Sequence, residues 1–368
     1  MFTLVNIRPM GHNVGNHAIS FTLKNMIHDT FGRLVSFVEY PASSKYDSSR
    51  AGLSSSVVHE INRIADGVII GGGNLFENNE IDVDPVALQH LQPPLMLFSN
   101  SRGRIYDRYG RLTERTDVIP DQKLFNLLDR ADISLSRDSA TSNYIRELGN
   151  FPNDTLGYCP TINTGRYTNL LPALPENESA GVLISVRSPL LMNIPYRLQN
   201  RITSDIEKCI DFLRSRGYKR IRLLCNDSRD LDFANSFRFS KMVDTVFTSD
   251  VYFYLSLLKQ ADLVVSYRLH ATLPAISMGT PTVNISYDER AICLFDDLLL
   301  ENHHIDLIKS GDDFMRQLEE RIVQSKGLSG EYIKIVKQWQ GFSDAQYNSL
   351  RKFKGLVEGY MKDGRKYN

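Results

Sequence analysis

A chain of 368 residues exceeds what one hydrophobic core ordinarily supports, so two domains are expected. With 42% hydrophobic and 23% charged residues the composition is that of a water-soluble globular protein. Lys plus Arg equals Asp plus Glu at 43 each, which excludes a global field drawing the chain to nucleic acid or to an anionic membrane. Any anionic ligand therefore has to be recognised by a local cluster. The four cysteines (Cys159, Cys209, Cys225, Cys293) are scattered without a CxxC pair. That spacing predicts neither a zinc framework nor a disulfide scaffold and fits a reducing, cytoplasmic setting. Met1 leads straight into TLVNI with no basic or apolar leader, and no apolar run approaches the roughly 20 residues of a membrane span. Membrane contact is expected to be peripheral at most.

In chain order, short apolar β-rich runs alternate with amphipathic stretches, the pattern of a parallel sheet covered by helices. Strands are predicted at Thr3–Ile7, Leu34–Glu39, Gly67–Ile70, Leu95–Phe98 and Ile133–Leu135, with helices at Ala18–Phe31, Ser54–Ala65, Asp121–Ala131 and Thr141–Leu148. Gly32 and Gly149 are expected as helix terminators with positive φ. The polar stretch Leu171–Gly181, LPALPENESAG, reads as the domain boundary. The alternation resumes with strand Val182–Val186, helix Arg197–Arg216, strand Ile221–Cys225, helix Tyr252–Gln260, strand Leu263–Ser266, helix Ala271–Met278, strand Thr282–Ser286 and helix Ala291–Leu300. From about Asp312 to Met361 the chain is charged, helical and strand-free. The expected organisation is an N-terminal Rossmann-like domain over 1–172, a second over 173–311 facing it across a cleft, and C-terminal helices over 312–368 returning to the first domain.

The segment Asp262–Arg290, DLVVSYRLHATLPAISMGTPTVNISYDER, carries the strongest chemical signal. A buried strand ends at Ser266, and Arg268 and His270 follow at its carboxyl edge and at the start of a helix, where ligands gather in open α/β sheets. Arginine offers a planar fork for phosphate or carboxylate, and histidine exchanges a proton near neutrality. The competing reading is a helix cap bridging to the sheet. Three further arginines end strands or lie beside their ends: Arg137 in ISLSRDSAT, Arg187 in GVLISVRSP, and Arg290 after Tyr287-Asp288. In the first of these, Ser139 is expected to cap the next helix, with Asp138 pairing Arg137. Two glycine-containing loops, Gly11–Asn16 (GHNVGN) and Asp66–Phe76 (DGVIIGGGNLF), permit close backbone approach to an anion or sugar. Gly11, Asn13, Asn16, Gly72, Gly73 and Asn74 are the candidates there; a plain strand-to-helix turn is the alternative for the triple glycine. His12 and His17 read as solvated loop residues.

The string S-x-R-x-H-A, a small-residue helix, G-x-P, a strand and Y-D resembles the C-terminal signature of polysaccharide pyruvyl transferases, and the four segments just named match that family in order. The resemblance implies transfer of an enolpyruvyl unit from phosphoenolpyruvate to a sugar hydroxyl pair, giving a ketal on a polysaccharide precursor. It implies a GT-B-like pair of domains, His270 as general acid with Arg268 beside it, and Arg137, Arg187, Arg268 and Arg290 holding the donor. It implies no metal or cofactor, and a sugar or lipid-linked oligosaccharide as acceptor. Two positions depart from the family: Asn16 stands where an Asp is usual, and Arg290 is the nearest cation where a Lys is common. Arginine cannot give up its proton at working pH, which moves the acid role toward His270.

Three segments stay open at this level. The stretch 101–117, with Arg102, Arg104, Arg108, Arg111 and Arg115 interleaved with Tyr106 and Tyr109, reads as an exposed charged hairpin or as an acceptor-recognition lid. Asp227, Asp230 and Asp232 cap a helix or hold acceptor hydroxyls or a ribose. His303, His304, Asp296 and Asp297 read as surface residues without a role. A nucleotide-sugar glycosyltransferase and a non-catalytic glycan-binding protein are the rival functions. The Arg268–His270 pair argues against the second, and the absence of a ribose-gripping glutamate motif argues against the first.

Overall fold

The structure, a computed structural model, describes residues 1–32, 34–45, 50–175, 180–325 and 329–364. Strands β1 (Phe2–Arg8), β2 (Val35–Pro41), β3 (Gly67–Gly73) and β4 (Leu95–Asn100) precede a small antiparallel pair, β5 (Ile105–Tyr106) and β6 (Leu112–Thr113). With β7 (Ile133–Ser136) and β8 (Asp154–Leu156), the first four form a parallel sheet in the order β2-β1-β3-β4-β7-β8. The second sheet uses β9 (Gly181–Val186), β10 (Ile221–Cys225), β11 (Asp244–Phe247), β12 (Ala261–Ser266), β13 (Thr282–Ser286) and β14 (His304–Asp306), in the order β11-β10-β9-β12-β13-β14. β3, β4, β9 and β10 are buried along their whole length, as strands covered on both faces must be.

Each sheet reverses its strand order once, between β1 and β3 in the first and between β9 and β12 in the second. Loops leaving strands on either side of such a point diverge and open a crevice at the carboxyl edge. The two crevices face each other, because Val14 at the start of helix Val14–Phe31 donates its backbone N–H to the carbonyl of Asn226 after β10, at 2.8 Å. The linking segment Pro160–Leu170 wedges between that helix and helix Leu269–Ser277: Gly165 lies so close to the Ser277 carbonyl that a Cβ would stand 1.9 Å from its oxygen. The proposed boundary at 171–181 falls partly outside the described residues, which omit 176–179.

The last helix, Gln340–Gly364, lays Leu350, Phe353 and Val357 into the core beside helix Val14–Phe31. Asp29 accepts hydrogen bonds from Tyr167 (2.8 Å) and Tyr347 (3.0 Å), tying that helix to the linker. Trp339 donates Nε1–H to the Leu298 carbonyl at 3.1 Å, so the C-terminal helices also contact the second domain.

Several expectations need correction. The first helix begins at Val14, so most of the predicted glycine loop is its cap and first turn: Asn13 accepts from Gly15 N at 3.0 Å. His17 consequently lies on that helix, half-buried, rather than in a solvated loop. Gly32 has φ 81°, but Gly149 has φ 171°, ordinary extended backbone. Strands β8, β11 and β14, of three or four residues each, were too short and polar to read as strands. His303 is buried, and Asp297 accepts the backbone N–H of Ser139 at 2.7 Å across the domains; neither is an idle surface residue.

Candidate active site

Helix Leu269–Ser277 starts directly after β12, and its first turn aims His270 into the cleft. Tyr254 fixes that turn from behind by donating to the His270 carbonyl at 3.0 Å; Asn226 donates to the Tyr254 hydroxyl at 2.8 Å and accepts from Ser185 at 2.9 Å. Since the Asn226 carbonyl also receives Val14 N–H, one asparagine joins both domains to the histidine's backbone. Gly15 meets His270 closely enough that a Cβ there would lie 2.8 Å from His270 Cβ. Only glycine allows this approach.

The cavity above His270 is lined by Asn13, Asn16 and Asn74 from the first domain with Arg137, and by Arg268, His270 and Arg290 from the second. A neighbouring recess shares Asn13, Asn16, Asn74 and Arg268 and adds Gly11, Asn78, Arg187, Asp227 and Arg229. The four predicted arginines therefore come to one cleft, with Arg187 in the adjoining recess. Gly72 and Gly73 do not line it. Both have positive φ (57° and 108°), and a Cβ on Gly72 would lie 2.3 Å from Ile19 Cγ2, so Gly72 ends its strand packed against a helix. Asn74, just beyond, does face the cavity and accepts from Arg137 Nη1 at 3.2 Å.

Each guanidinium is held by a buried carboxylate. Asp230, fully buried, pairs with Arg268, lies 3.7 Å from Arg187 and accepts Ser188 N–H at 3.0 Å. It thus orients two arginines, a role distinct from the helix capping or hydroxyl binding considered from sequence. Asp288 caps the helix Glu289–Asp297 through Ala291 N at 2.8 Å and holds Arg290 Nη2 at 2.6 Å. Glu77 of the first domain pairs with Arg290 across the interface and with Arg115 at 3.2 Å. Asp138, not Ser139, caps the helix Ser139–Leu148, accepting from Thr141 N at 2.9 Å, while its other oxygen lies 3.7 Å from Arg137 Nε. The 101–117 segment is accordingly not a freely exposed hairpin. Arg102 is buried over the Tyr144 ring, Arg115 reaches Glu77, and Arg104 pairs with Glu289 across the domains.

The electrostatics follow from this arrangement. Burial, and then the Arg137, Arg290 and Arg268 guanidiniums, hold the His270 ionisation well below the usual histidine range, so these protein groups alone keep the imidazole neutral near pH 7. Its Nε2 is buried without a hydrogen-bond partner among the described residues. Burial pushes Glu77 up to about 7 against the pull of Arg290, and raises Asp138 against that of Arg137. Asp288 is desolvated too, yet the Arg290 guanidinium carries it below the ordinary carboxylate range. Asp227 reaches about 2: its burial is outweighed by hydrogen bonds from Arg229. Glu77 and Asn226 carried no sequence signal beyond their place after a strand end. Their partners are distant in the chain.

Two parallel crevice-forming domains joined across a polar cleft define an α/β protein of GT-B-like architecture. UDP-GlcNAc 2-epimerases share it. The enzyme from Neisseria meningitidis bound to UDP-GlcNAc superposes with TM-score 0.52 at 12% identity, over 98% of this chain and 99% of that one. The Methanocaldococcus jannaschii UDP-GlcNAc 2-epimerase in complex with UDP-GlcNAc and UDP gives TM-score 0.51 at 11% identity, over 88% and 92%. A putative UDP-N-acetylglucosamine 2-epimerase from Listeria monocytogenes gives 0.51 at 11%, over 88% and 90%. At such identities the likeness establishes the fold alone. No curated protein matches the sequence. The sequence model of the polysaccharide pyruvyl transferase family matches residues 13–289, which hold every cleft residue named above except Gly11 and Arg290. The chain belongs to that family and is a transferase.

Proposed function

We propose that this transferase moves the pyruvyl unit of phosphoenolpyruvate onto two hydroxyls of a sugar acceptor, with the donor between Arg137, Arg268 and His270. The observation that carries this reading is the convergence of guanidiniums from both domains around an imidazole whose buried Nε2 has no hydrogen-bond partner among the described residues. Phosphoenolpyruvate brings a phosphate and a carboxylate, and arginine forks match both. Arg187, expected from the sequence to hold the donor, lines the adjoining recess instead; there it and the amides would receive the acceptor, whose hydroxyls pair well with Asn13, Asn16, Asn74 and Asp227.

In the reaction, protonated His270 gives its proton to the donor's methylene carbon, leaving an oxocarbenium-like C2 between the carboxylate and the phosphate ester oxygen. One sugar hydroxyl adds to C2 and its proton restores the imidazolium. The C2–O bond to phosphate breaks, the second hydroxyl closes the ketal, and its proton leaves with the phosphate. General acid chemistry and preorganised cations supply the acceleration. The site acts in the cytoplasm, where the donor is available.

The test is to incubate the protein with phosphoenolpyruvate, UDP-sugars and a panel of glycans, and to follow phosphate and nucleotide release. Phosphate release that requires a glycan supports pyruvyl transfer. Nucleotide release, or neither product, overturns it in favour of a glycosyltransferase or a glycan-binding protein.

A further inference from the structure

We propose that the cleft rim formed by the β5–β6 hairpin tip and the connection Arg187–Arg197 docks on a membrane surface bearing anionic headgroups. The two segments meet: a Cβ on Gly110 at the hairpin tip would lie 3.5 Å from Pro195 Cγ. Beside that contact Tyr109 is 71% exposed and Tyr196 63%, and Leu190, 89% exposed, lies on the same connection as Tyr196. Isolated exposed apolar residues are ordinary, but a group of this kind marks a contact surface.

The charge around them specifies the partner. Arg108, Arg111 and Arg197 are exposed and make no ion pair among the described residues, and Arg108 lies over the Tyr109 ring at 4.8 Å. Asp107, the carboxylate within the hairpin tip, is occupied by the N–H groups of Tyr109 and Arg111 at 2.8 and 2.9 Å. Residues 104–111 carry three arginines and one aspartate, with Arg104 paired to Glu289; residues 187–197 carry no acid and two arginines, of which Arg187 faces Asp230 and Arg197 is free of ion pairs among the described residues. In a chain whose charges balance at 43 each, this is a local excess of positive charge. Tyrosine with an apolar body and polar tip, leucine, and unpaired arginines are the side chains that settle at a headgroup boundary.

The hairpin leaves the carboxyl end of β4 and the connection leaves that of β9, the edges that open onto the cleft. Docking there turns the cleft mouth toward the headgroups, where a lipid-linked glycan presents its sugars. The inference rests on where the cleft opens and on the cleft's proposed use. Its test needs no turnover, so either reading can fail alone.

The experiment is co-sedimentation of the full chain with vesicles of phosphatidylcholine alone and with added phosphatidylglycerol. The wild type is expected to bind the anionic vesicles and to bind pure phosphatidylcholine at least about tenfold more weakly. At about fivefold per arginine near such a surface, Arg108→Ser/Arg111→Ser/Arg197→Ser weakens binding roughly a hundredfold. Tyr109→Ser/Leu190→Ser/Tyr196→Ser weakens it at constant charge. Both variants are expected to keep the wild-type circular dichroism and phosphoenolpyruvate affinity. Phe239→Ser/Met242→Ser removes another exposed apolar pair, 88% and 84% accessible, at the opposite edge of the sheet, and should bind as wild type does. Equal binding to both vesicle types, no binding to either, or undiminished binding by either rim variant overturns the proposal, as does loss of binding in the Phe239/Met242 variant.

Discussion

Adding phosphoenolpyruvate to the protein at pH 7 should draw about one proton from solution, and His270 should be where it goes. Burial and three guanidiniums by themselves keep the imidazole neutral. A bound donor reverses that field. At an effective dielectric near 20, opposite unit charges roughly 4 Å apart attract by about 4 kcal/mol, enough to move an ionisation by about three pH units. The donor's phosphate thus raises the imidazole's ionisation from well below its ordinary range and favours the protonated form. The acid is then loaded by the substrate it acts on. Calorimetric titration in two buffers of different ionisation enthalpy measures the uptake directly. Glu77, at about 7, is the other group that could take a proton when an anion arrives. The His270→Gln variant should therefore lose the uptake while Glu77→Gln keeps most of it. A binding enthalpy independent of buffer, or full uptake in His270→Gln, would refute the argument.

The remaining predictions concern single residues. His270→Gln should lower turnover by about 10²–10⁴ with the donor dissociation constant changed only a few-fold, read by steady-state kinetics and direct titration. Arg268→Lys keeps the charge facing Asp230 but loses the planar fork; donor affinity should fall about tenfold while the melting temperature barely moves. Gly15→Ala drives a methyl group to within 2.8 Å of His270 Cβ and should cost about 1–3 kcal/mol by urea unfolding, with a parallel loss of turnover. Glu77 has its native ionisation raised from 4.5 to about 7, so the stabilisation it gives in its protonated form is lost as pH rises through that window. Glu77→Gln should flatten the fall of melting temperature between about pH 4.5 and 7; a slope unchanged from wild type would contradict the assignment.

The sequence makes Arg268 and His270 legible because a buried apolar run, an Arg-Leu-His step and a small-residue helix leave few places for those side chains but the carboxyl edge of the sheet. Arg137, Arg187 and Arg290 follow by the same reasoning, and all of these side chains line the cleft or its adjoining recess. What holds them could not be read in that way. Asp230 serves Arg268 and Arg187 from another strand end, and Glu77 serves Arg290 from another domain; such pairings depend on how two sheets face each other, not on local pattern. Glycine misleads in the opposite direction. Gly72 and Gly73 both have positive φ, but the space beside Gly72 is filled by Ile19, and neither glycine lines the cleft. Strand β14 escaped notice because His304-Ile305-Asp306 has one apolar residue and is paired along a single edge, with β13.

A structure of the protein with phosphoenolpyruvate bound, obtained without acceptor so that the donor persists, tests the central claim most directly. Phosphate and carboxylate oxygens are expected within hydrogen-bond reach of Arg137 and Arg268, and the methylene carbon beside Nε2 of His270. A donor lodged elsewhere, or one whose methylene faces away from His270, would contradict it.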